Sequence, residues 1–308
     1  METRFLQTFL SVVQTGSLSE AARRLNITPS AVIQRIKALE DEIGRPLIQR
    51  SGHTMQPTPA GAAILAEVEH MLAVADDIKA AAASDLETGL LRVGVINSAL
   101  TGLLPDLLVQ LRQNRPGIEL YILPGMSGDL YSCIIDGELD AAIMVQPHFA
   151  LPKALDWLLL RQEELLVITP LSVTETDSRA ILKHQPFIRY DRNHWGGRIV
   201  DLHLRKLKIR PREQYELDSL EAITVLVSRG LGVSLIPDWL PPWPEGANVR
   251  RIKASGAPTR DVGILWSRSS KRLPLIRAFV AEAVSAIRLK QSLHRPSARE
   301  EALPARSW

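Results

Sequence analysis

The amino-acid sequence predicts a multidomain α+β protein, in which a mostly helical N-terminal winged helix-turn-helix is joined by a long linker helix to a two-lobed α/β domain. Three patterns predict this architecture. Three short amphipathic helical segments and two short strands come first, an apolar seam at heptad spacing follows, and strands then alternate with helices. We place the boundaries at 1–58, 59–88 and 89–290, and we expect residues 291–308, rich in Ser, Arg, Pro and Glu, to form a flexible tail.

Composition restricts the class of protein. The chain has 308 residues, a length that predicts two or three domains, and its apolar fraction of 45% and charged fraction of 23% are ordinary for a globular protein. No segment approaches the roughly 18 apolar residues of a transmembrane helix, and the N-terminus lacks the pattern of a secretory signal. Cys133 is the single cysteine, which fits a reducing compartment. We therefore expect a cytoplasmic protein with no membrane partner.

The first sixty residues predict three helices. Apolar residues recur at helical spacing in residues 4–14, and Ser17 with Glu20 has the spacing of a capping box at the start of a short second helix. A third helix starts at Thr28, which can cap it, and Pro29, which fits the first helical position. The buried stripe of this helix consists of Val32, Ile36, Leu39 and Ile43. The tight turn before it is typical of a helix-turn-helix.

The opposite face of the third helix carries groups that can contact DNA. Ser30 and Gln34 can reach base edges, and Lys37 can reach phosphate or guanine. Ile33 can contact a thymine methyl group. An ordinary solvated helix face is the alternative, and the turn, the caps and the predicted hairpin wing at 47–58 favour DNA. Further predicted DNA-binding residues start the helix or lie near the tip of the wing: Thr28, Pro29, Arg50 and His53. An exposed loop histidine is an equal alternative for the last of these.

The segment 59–88 predicts a helix with a narrow apolar seam. Thr58 and Pro59 repeat the signal for a helix start. The seam alternates spacings of four and three residues and consists of Ile64, Val68, Met71, Ala75, Ile78 and Ala82. Residues 61–88 contain one basic and six acidic residues, so the seam lies on a negatively charged helix. A second copy of the chain would cover the seam and give a homodimer, whereas packing on the following domain is the alternative.

After residue 88, short apolar strands alternate with helices, which indicates two α/β lobes built on parallel sheets. The first lobe is predicted at 89–161 and 268–290, and the second at 162–267. The predicted strands are Leu90–Ile96, Ile118–Leu123, Asp140–Val145, Leu155–Leu160, Leu165–Thr169, Phe187–Tyr190, Gln214–Leu217, Val233–Ile236, Val249–Lys253 and Val262–Trp266. The predicted helices are Thr101–Gln113, Ser127–Asp136, Gly196–Leu207, Ser219–Ser228 and Pro274–Leu289.

A ligand cleft is expected between the lobes, because α/β sheets bind ligands beyond the carboxyl ends of their strands. Polar residues and helix starts at those ends form the predicted effector site: Asn97, Ser98, Thr101, Ser127, Gln146, Arg192, Trp195 and Ser219. Helix starts favour anions, and eight basic residues lie from Arg189 to Arg212, so we expect a small carboxylate-bearing ligand. Taken singly, each serine is explained by helix capping and Trp195 by packing between lobes.

The sequence carries no recognisable signal for catalysis. The seven histidines are dispersed, and no metal-binding or nucleophile-elbow motif is present. Gly230 and Gly232 precede a strand instead of following one, so they do not form a dinucleotide fingerprint. We therefore expect no enzymatic activity, no metal and no cofactor. The alternative to a DNA-binding regulator is a two-lobed solute-binding protein without a transcriptional role, which the first sixty residues disfavour.

Five segments together form a recognisable pattern that spans about residues 4–289. They are FLSVVQTGSLSEAARRL at Phe9–Leu25, SAVIQRIKALE at Ser30–Glu40, RPL at Arg45–Leu47, TPAG at Thr58–Gly61, and Val225–Pro237, which ends RGLGVSLIP. In combination they resemble the LysR-type transcriptional regulator family. Two positions depart from the family pattern, because Pro29 replaces a polar residue, often Gln, and Ile33 replaces a Ser.

The resemblance implies a winged helix-turn-helix, a dimerising linker helix and an effector domain like a periplasmic binding protein. It implies dimers that assemble into tetramers on an interrupted palindrome of double-stranded promoter DNA, with a small effector changing the DNA bend. RNA polymerase is a further candidate partner. The peroxide-sensing branch uses a cysteine pair, so the single Cys133 argues against that switch. We therefore expect a DNA-binding transcriptional regulator whose promoter binding responds to a small anionic or carboxylate-bearing effector in the cleft.

Overall fold

The computed structural model describes residues 1–52, 54–82 and 88–293. The chain divides into two units, Met1–Ser84 and Asp85–Trp308, which are described in turn. Within the described ranges, no helix is both long and apolar enough to cross a membrane.

The first unit begins with three helices and a hairpin. The helices are α1 (Thr3–Thr15), α2 (Leu18–Arg24) and α3 (Pro29–Ile43), and the hairpin pairs β1 (Ile48–Ser51) with β2 (Thr54–Pro57) in antiparallel register. This arrangement is the predicted winged helix-turn-helix.

Local signals set the ends of these helices. The Ser17 hydroxyl accepts a hydrogen bond from the Glu20 amide at 3.3 Å and starts α2. The Thr28 hydroxyl accepts from the Ala31 amide at 3.2 Å and starts α3. Each bond satisfies an amide that has no partner inside its own helix. Gly16 ends α1 with φ at 63°, a left-handed conformation in which a residue with a side chain would be strained.

One apolar core fixes the orientation of α3. The buried core residues of this unit are Leu6, Phe9, Val12, Ala21, Ala22, Val32, Ile36, Leu39, Leu47 and Val68. Burial of each large apolar side chain contributes about 1.5–3 kcal/mol, so the stripe of α3 that carries Val32, Ile36 and Leu39 is held inward. The opposite face of α3 is thereby held outward.

The predicted linker helix is divided into two. Helix α4 (Pro59–Ala63) ends at Ile64, and α5 (Leu65–Ala82) follows. Helix α4 lies so close to the backbone just before β1 that a Cβ at Gly61 would be 2.1 Å from the carbonyl oxygen of Leu47. Glycine at this position therefore allows the close approach of the two backbones.

The two ends of the apolar seam lie in different surroundings, one buried and one exposed. Val68 is 4% exposed and belongs to the core of the first unit. Met71 is 42% exposed and Ile78 is 65% exposed, whereas Ala75 is half-buried. The side chain of Ala82 lies outside the described residues. The N-terminal part of the seam thus packs within its own unit, and the C-terminal part presents large apolar side chains outward.

The first lobe of the second unit contains a five-stranded mixed sheet. Its strands are β3 (Gly89–Val95), β4 (Ile118–Pro124), β5 (Ala141–Val145), β6 (Leu155–Glu163) and β12 (Arg260–Ser267), in the order β4-β3-β5-β12-β6. The first three strands in this order are parallel, and β12 runs antiparallel to both of its neighbours. The helices of this lobe are α6 (Asn97–Gly102), α7 (Leu104–Asn114), α8 (Ser127–Ile135) and α12 (Leu273–Leu293).

The second lobe contains two groups of strands. Strands β7 (Leu165–Pro170), β10 (Ser234–Pro237) and β11 (Val249–Lys253) pair in antiparallel fashion, and β8 (Pro186–Tyr190) pairs in parallel with β9 (Arg212–Leu217). A parallel bridge between Phe187 and Val233 joins the two groups. The helices are α9 (Ser178–His184), α10 (Trp195–Lys206) and α11 (Leu220–Ser228), of which α9 was not predicted.

The predicted lobe boundaries need correction. Strand β12 lies between β5 and β6, so it belongs to the first lobe, although residues 162–267 were assigned to the second. Both lobes also contain antiparallel pairs, whereas parallel sheets were expected. A strand pattern in the sequence records which faces are apolar and does not record which neighbour the strand pairs with. The chain therefore crosses between lobes twice, after Glu163 and before Arg260.

Two further differences concern element ends. The helix predicted at Thr101–Gln113 is divided into α6 and α7, with Pro105 in the first turn of α7. The predicted flexible tail, residues 291–308, lies outside the described residues except for its first three, which continue α12.

Candidate nucleic-acid interface and ligand cavity

The outward face of α3 carries the residues that the sequence predicted. Ser30, Ile33, Gln34 and Lys37 are all exposed, and we call this surface the recognition face. Ile33 is 52% exposed, so this surface also offers an apolar side chain. The recognition face therefore offers hydroxyl, amide, ammonium and methyl groups together, which are the groups that contact base edges and phosphates in a major groove.

The first turn of α3 is fixed by its cap. Thr28 and Pro29 are exposed, and the Thr28 hydroxyl lies 2.9 Å from the Ser30 hydroxyl in addition to capping the helix. The N-terminal end of a recognition helix is where base contacts are expected.

The predicted wing residues are divided between described and undescribed parts of the chain. Arg50 is exposed on β1, and its Nε donates to the carbonyl oxygen of Gly52 at 3.2 Å. This bond leaves the two terminal nitrogens of the guanidinium group for an outside acceptor. His53 lies outside the described residues.

A cavity lies between the two lobes of the second unit. The centre of a water molecule can occupy about 40 Å³ of it, and the whole empty space, including its open mouth, is about 460 Å³. The lining residues, which define the interlobe cavity, are Ile96, Asn97, Ser98, Gly125, Met126, Ser127, Val145, Tyr190, His194, Trp195, Gly196, Asp218, Leu220, Glu221 and Arg260. The starts of α8, α10 and α11 all lie at this cavity.

Four of the eight predicted effector-site residues line the interlobe cavity: Asn97, Ser98, Ser127 and Trp195. The two serines are only 8% and 7% exposed. The Ser127 hydroxyl oxygen accepts from the Val145 amide at 3.1 Å, so its function is not that of an ordinary helix cap. The Ser98 hydroxyl oxygen accepts from a guanidinium nitrogen of Arg260 at 3.0 Å.

The other four predicted residues lie outside the cavity lining. Arg192 forms ion pairs with Glu213 at 2.7 Å and Glu216 at 2.9 Å, which hold its guanidinium group against β9. Ser219 caps α11, because its hydroxyl accepts a hydrogen bond from the Ala222 amide at 3.1 Å. Helix capping was the alternative explanation for each predicted serine. Thr101 and Gln146 are exposed. A residue at the end of a strand or the start of a helix faces the cleft only if its side chain also points that way, which the sequence position alone does not determine.

The sequence prediction missed a buried ion pair. Arg260 is 2% exposed and Glu163 is 4% exposed, and the Nε of Arg260 donates to the Glu163 carboxylate at 2.7 Å. The two residues are directly paired between β12 and β6, where both strands leave for the second lobe. Burial works against the charge on Arg260, but Glu163 and Tyr190 together more than offset this and raise the pKa of the guanidinium group above its ordinary value. The signal in the sequence was the presence of charged residues at the end of β6 and at the start of β12, beside apolar segments.

Tyr190 and Gly196 of the second lobe lie beside this ion pair. Burial raises the pKa of the Tyr190 phenol above its ordinary value, so this group stays protonated and can donate a hydrogen bond. A Cβ at Gly196 would lie 2.9 Å from the Tyr190 hydroxyl oxygen and 3.1 Å from Cδ of Arg260. Glycine therefore lets the start of α10 pack directly against this pair of side chains.

Trp195 packs against aromatic residues of the first lobe. Its ring centroid lies 6.1 Å from that of Tyr131, 5.7 Å from that of His148 and 5.8 Å from that of Phe149. Trp195 thus lines the interlobe cavity and also packs between the lobes.

Comparison with known proteins decides the family. The family profile described as the LysR substrate binding domain matches residues 84–288, and the profile described as the bacterial regulatory helix-turn-helix protein of the lysR family matches residues 3–62. The chain belongs to the LysR family of transcriptional regulators. It is a DNA-binding regulator with an effector-binding domain, and the alternative of a plain solute-binding protein is wrong.

LysR-family relatives match over nearly the whole chain. The chain is 28% identical over 307 residues to YnfL of Escherichia coli strain K12, an uncharacterized HTH-type transcriptional regulator, with 94% of this chain and 99% of the relative covered. It is 25% identical over 308 residues to the HTH-type transcriptional activator IlvY of Salmonella typhimurium strain LT2, with 96% of each chain covered.

Solved structures confirm the fold class. Full-length OxyR from Pseudomonas aeruginosa, solved as a single-residue variant, is 26% identical with a TM-score of 0.62, and 94% of this chain and 95% of that chain are covered. Full-length CbnR complexed with its target DNA is 20% identical with a TM-score of 0.64, and 94% and 100% are covered. The second likeness shows the fold alone.

Proposed function

We propose that the recognition face of α3 reads the bases of a promoter and that a small effector in the interlobe cavity changes this binding. The observation that carries the proposal is the outward placement of Ser30, Gln34 and Lys37 by a fully packed opposite stripe. Ser30 and Gln34 would contact base edges, Ile33 a thymine methyl group, and Lys37 a phosphate. Thr28, Pro29, Arg50 and His53 would contribute backbone or groove contacts around them.

Dimerisation through α5 would place two recognition helices on neighbouring half-sites. Met71, Val74 and Ile78 are 42%, 40% and 65% exposed on this helix, which is a costly exposure for a monomer. We propose a homodimer that pairs these side chains, and a homotetramer built from two dimers. Segments 1–58, 59–88 and 89–290 would then be the DNA-binding domain, the dimerising linker and the effector domain. RNA polymerase is a candidate contact of the assembled regulator, which we place in the cytoplasm and regard as non-enzymatic.

The effector would bind through the first-lobe serines. The Ser98 and Ser127 hydroxyl oxygens each accept one hydrogen bond within the protein, so each hydroxyl hydrogen remains for a ligand. Because these side chains are buried and α8 and α10 begin beside them, a carboxylate fits this part of the cavity. Asn97 and Trp195 would complete the contact.

The test is selection of binding sites from random double-stranded DNA by the purified full-length protein. We expect one enriched sequence with two half-sites related by a two-fold axis, because a dimer presents two copies of α3. Titration of a fluorescent duplex of that sequence then gives the affinity with and without ligands. Enrichment of no sequence would contradict base reading, and a single asymmetric half-site would contradict the dimer.

A further inference from the structure

The interlobe cavity carries acidic side chains that no protein cation neutralises. Asp218 and Glu221, beside the start of α11, both line it. Asp218 forms no hydrogen bond or ion pair with any residue that the structure describes, and Glu221 accepts only from the hydroxyl of Ser219, at 3.2 Å. Asp218 is exposed and Glu221 is half-buried. Two carboxylates that line one cavity disfavour a ligand that is only anionic.

Arg260 and Arg192 are already paired with acidic residues of the protein. Arg260 is paired with Glu163, so the buried ion pair adds no net charge to the cavity. Arg192 is held by Glu213 and Glu216. The formal charge of the described lining together with Glu163 is therefore negative whether His194 is counted as charged or uncharged, in spite of the many basic residues in this part of the sequence.

The first lobe supplies a different set of groups. Ser98 and Ser127 are more than nine-tenths buried and offer hydroxyl hydrogens. The nine-residue helix α8 starts at Ser127, and its first amides have no partner within the helix. These groups match an acceptor such as a carboxylate, whereas the acidic pair on the second lobe matches a donor with positive charge.

We propose that the effector is a small zwitterion of the α-amino-acid class, with its carboxylate on Ser98, Ser127 and the start of α8 and its ammonium group on Asp218 and Glu221. This inference rests on the proposed function, in which the interlobe cavity holds the effector. A carboxylic acid without an amine leaves the two acidic side chains unmatched, and an amine without a carboxylate leaves the buried hydroxyls unmatched. Because its two charged groups bind different lobes, the zwitterion links the lobes when it binds.

The experiment uses the full-length protein and matched sets of small molecules. Each of the twenty standard amino acids is tested by isothermal titration calorimetry, and every amino acid that binds is compared with its deaminated carboxylic acid and its decarboxylated amine. We expect at least one amino acid to bind, and both of its analogues to bind at least tenfold more weakly.

Substitutions test which residues bind the ammonium group of the ligand and which bind its carboxylate. We expect Asp218→Asn and Glu221→Gln each to weaken the amino acid about tenfold while leaving the deaminated acid unchanged or bound more tightly. Ser98→Ala should weaken both molecules. Glu245→Gln removes an exposed acid of the same unit outside the cavity and should change neither.

The inference is overturned if no amino acid binds, if the deaminated acid binds as well as its parent, or if Asp218→Asn and Glu221→Gln leave the affinity of the amino acid unchanged. These failures are distinguishable from failure of the proposed function. If a plain carboxylic acid changes the affinity for the selected duplex and Ser98→Ala abolishes that change, the effector cavity stands and the zwitterion does not. If no compound of the three sets changes duplex affinity, both the effector assignment and the zwitterion fail, whereas base reading by α3 is judged separately.

Discussion

Lys37 lies on the recognition face, and its ammonium group forms no hydrogen bond or ion pair with any described residue. A lysine in this position contributes to DNA affinity by releasing counterions from a phosphate. We expect Lys37→Ala to weaken specific and non-specific DNA binding by similar factors and to make the slope of log affinity against log salt shallower by about 1. Filter binding or fluorescence anisotropy over a salt series measures the slope. Lys183→Ala, an exposed lysine of the second unit, should leave it unchanged, and an unchanged slope for Lys37→Ala would remove the phosphate contact.

Cys133 is a poor candidate for a redox switch. Burial raises the pKa of its thiol to about 11, and the neighbouring carboxylate of Glu138 adds to the rise. Since the protonated form dominates below this pKa, alkylation by iodoacetamide should be slow at pH 7 and should rise about tenfold per pH unit up to pH 10. Mass spectrometry follows the modified fraction, with glutathione as the reference thiol. A rate that levels off by pH 8 would show a thiolate that the protein stabilises.

At the scale of single residues, the sequence did not predict contacts between side chains that are distant in the chain. The recognition face was predictable because helical spacing alone places Ser30 opposite Val32 and Ile36. The cavity was only half predictable. Arg192 was chosen because it follows a strand, and its partners on β9 take it away from the cavity. Arg260 was missed because its partner Glu163 lies 97 residues earlier, and only strand pairing brings them together.

The exposed part of the seam on α5 decides the oligomeric state in this account. Ile78 is 65% exposed in the single chain. We expect Ile78→Glu to shift the protein toward monomer by at least tenfold in the dimer dissociation constant, because the charge would be buried in the pair. Sedimentation velocity over a concentration series measures the shift.

The control for that variant is Leu171→Glu, because Leu171 is 62% exposed but lies outside α5. It should sediment as the wild type does. If Ile78→Glu also sediments as the wild type, the dimer does not use this helix, and the selected DNA site would have to be read by another pairing of subunits.

Elements differ in how much of them the sequence determines. The starts of α2 and α3 were predictable because Ser17 and Thr28 make local hydrogen bonds with amides three residues on. The sheet to which β12 belongs was not predictable, because its partners on β5 and β6 are set by tertiary packing. The break at Ile64 was missed because the heptad spacing continues through it.

The two chain crossings between the lobes meet at the ion pair of Glu163 and Arg260. Removal of one partner leaves the other charge buried, and such a change costs about 3–5 kcal/mol. We expect Glu163→Gln to lower the free energy of unfolding of the second unit by roughly this amount. Urea denaturation followed by circular dichroism measures it.

The matched control is Asp156→Asn, which breaks the exposed ion pair with Arg268 at 3.1 Å. Because both side chains are largely exposed, we expect a change of about 1 kcal/mol or less. If Glu163→Gln also lowers the free energy of unfolding by only about 1 kcal/mol or less, the buried ion pair does not stabilise the crossings between the lobes.

At the scale of the whole molecule, the family and the order of its parts were predictable, because the segments that identify a LysR regulator are continuous in sequence. The charge of the interlobe cavity was not. It depends on which of the basic residues between Arg189 and Arg212 face the ligand, and none of them lines the cavity. The part of the anion prediction that used these basic residues therefore rested on sequence proximity, which the tertiary structure does not preserve.

The central claim is that the recognition face of α3 reads bases, and the ratio of specific to non-specific affinity tests it most directly. This ratio is measured for the wild type, Ser30→Ala, Gln34→Ala and the control Gln7→Ala, an exposed glutamine on α1, on the selected duplex and a scrambled duplex at one salt concentration. We predict that Gln34→Ala lowers the ratio by about 5- to 100-fold, which corresponds to about 1–3 kcal/mol per base contact, that Ser30→Ala lowers it less, and that the control does not change it. Unchanged ratios for both Ser30→Ala and Gln34→Ala, with unfolding curves like those of the wild type, would contradict the claim.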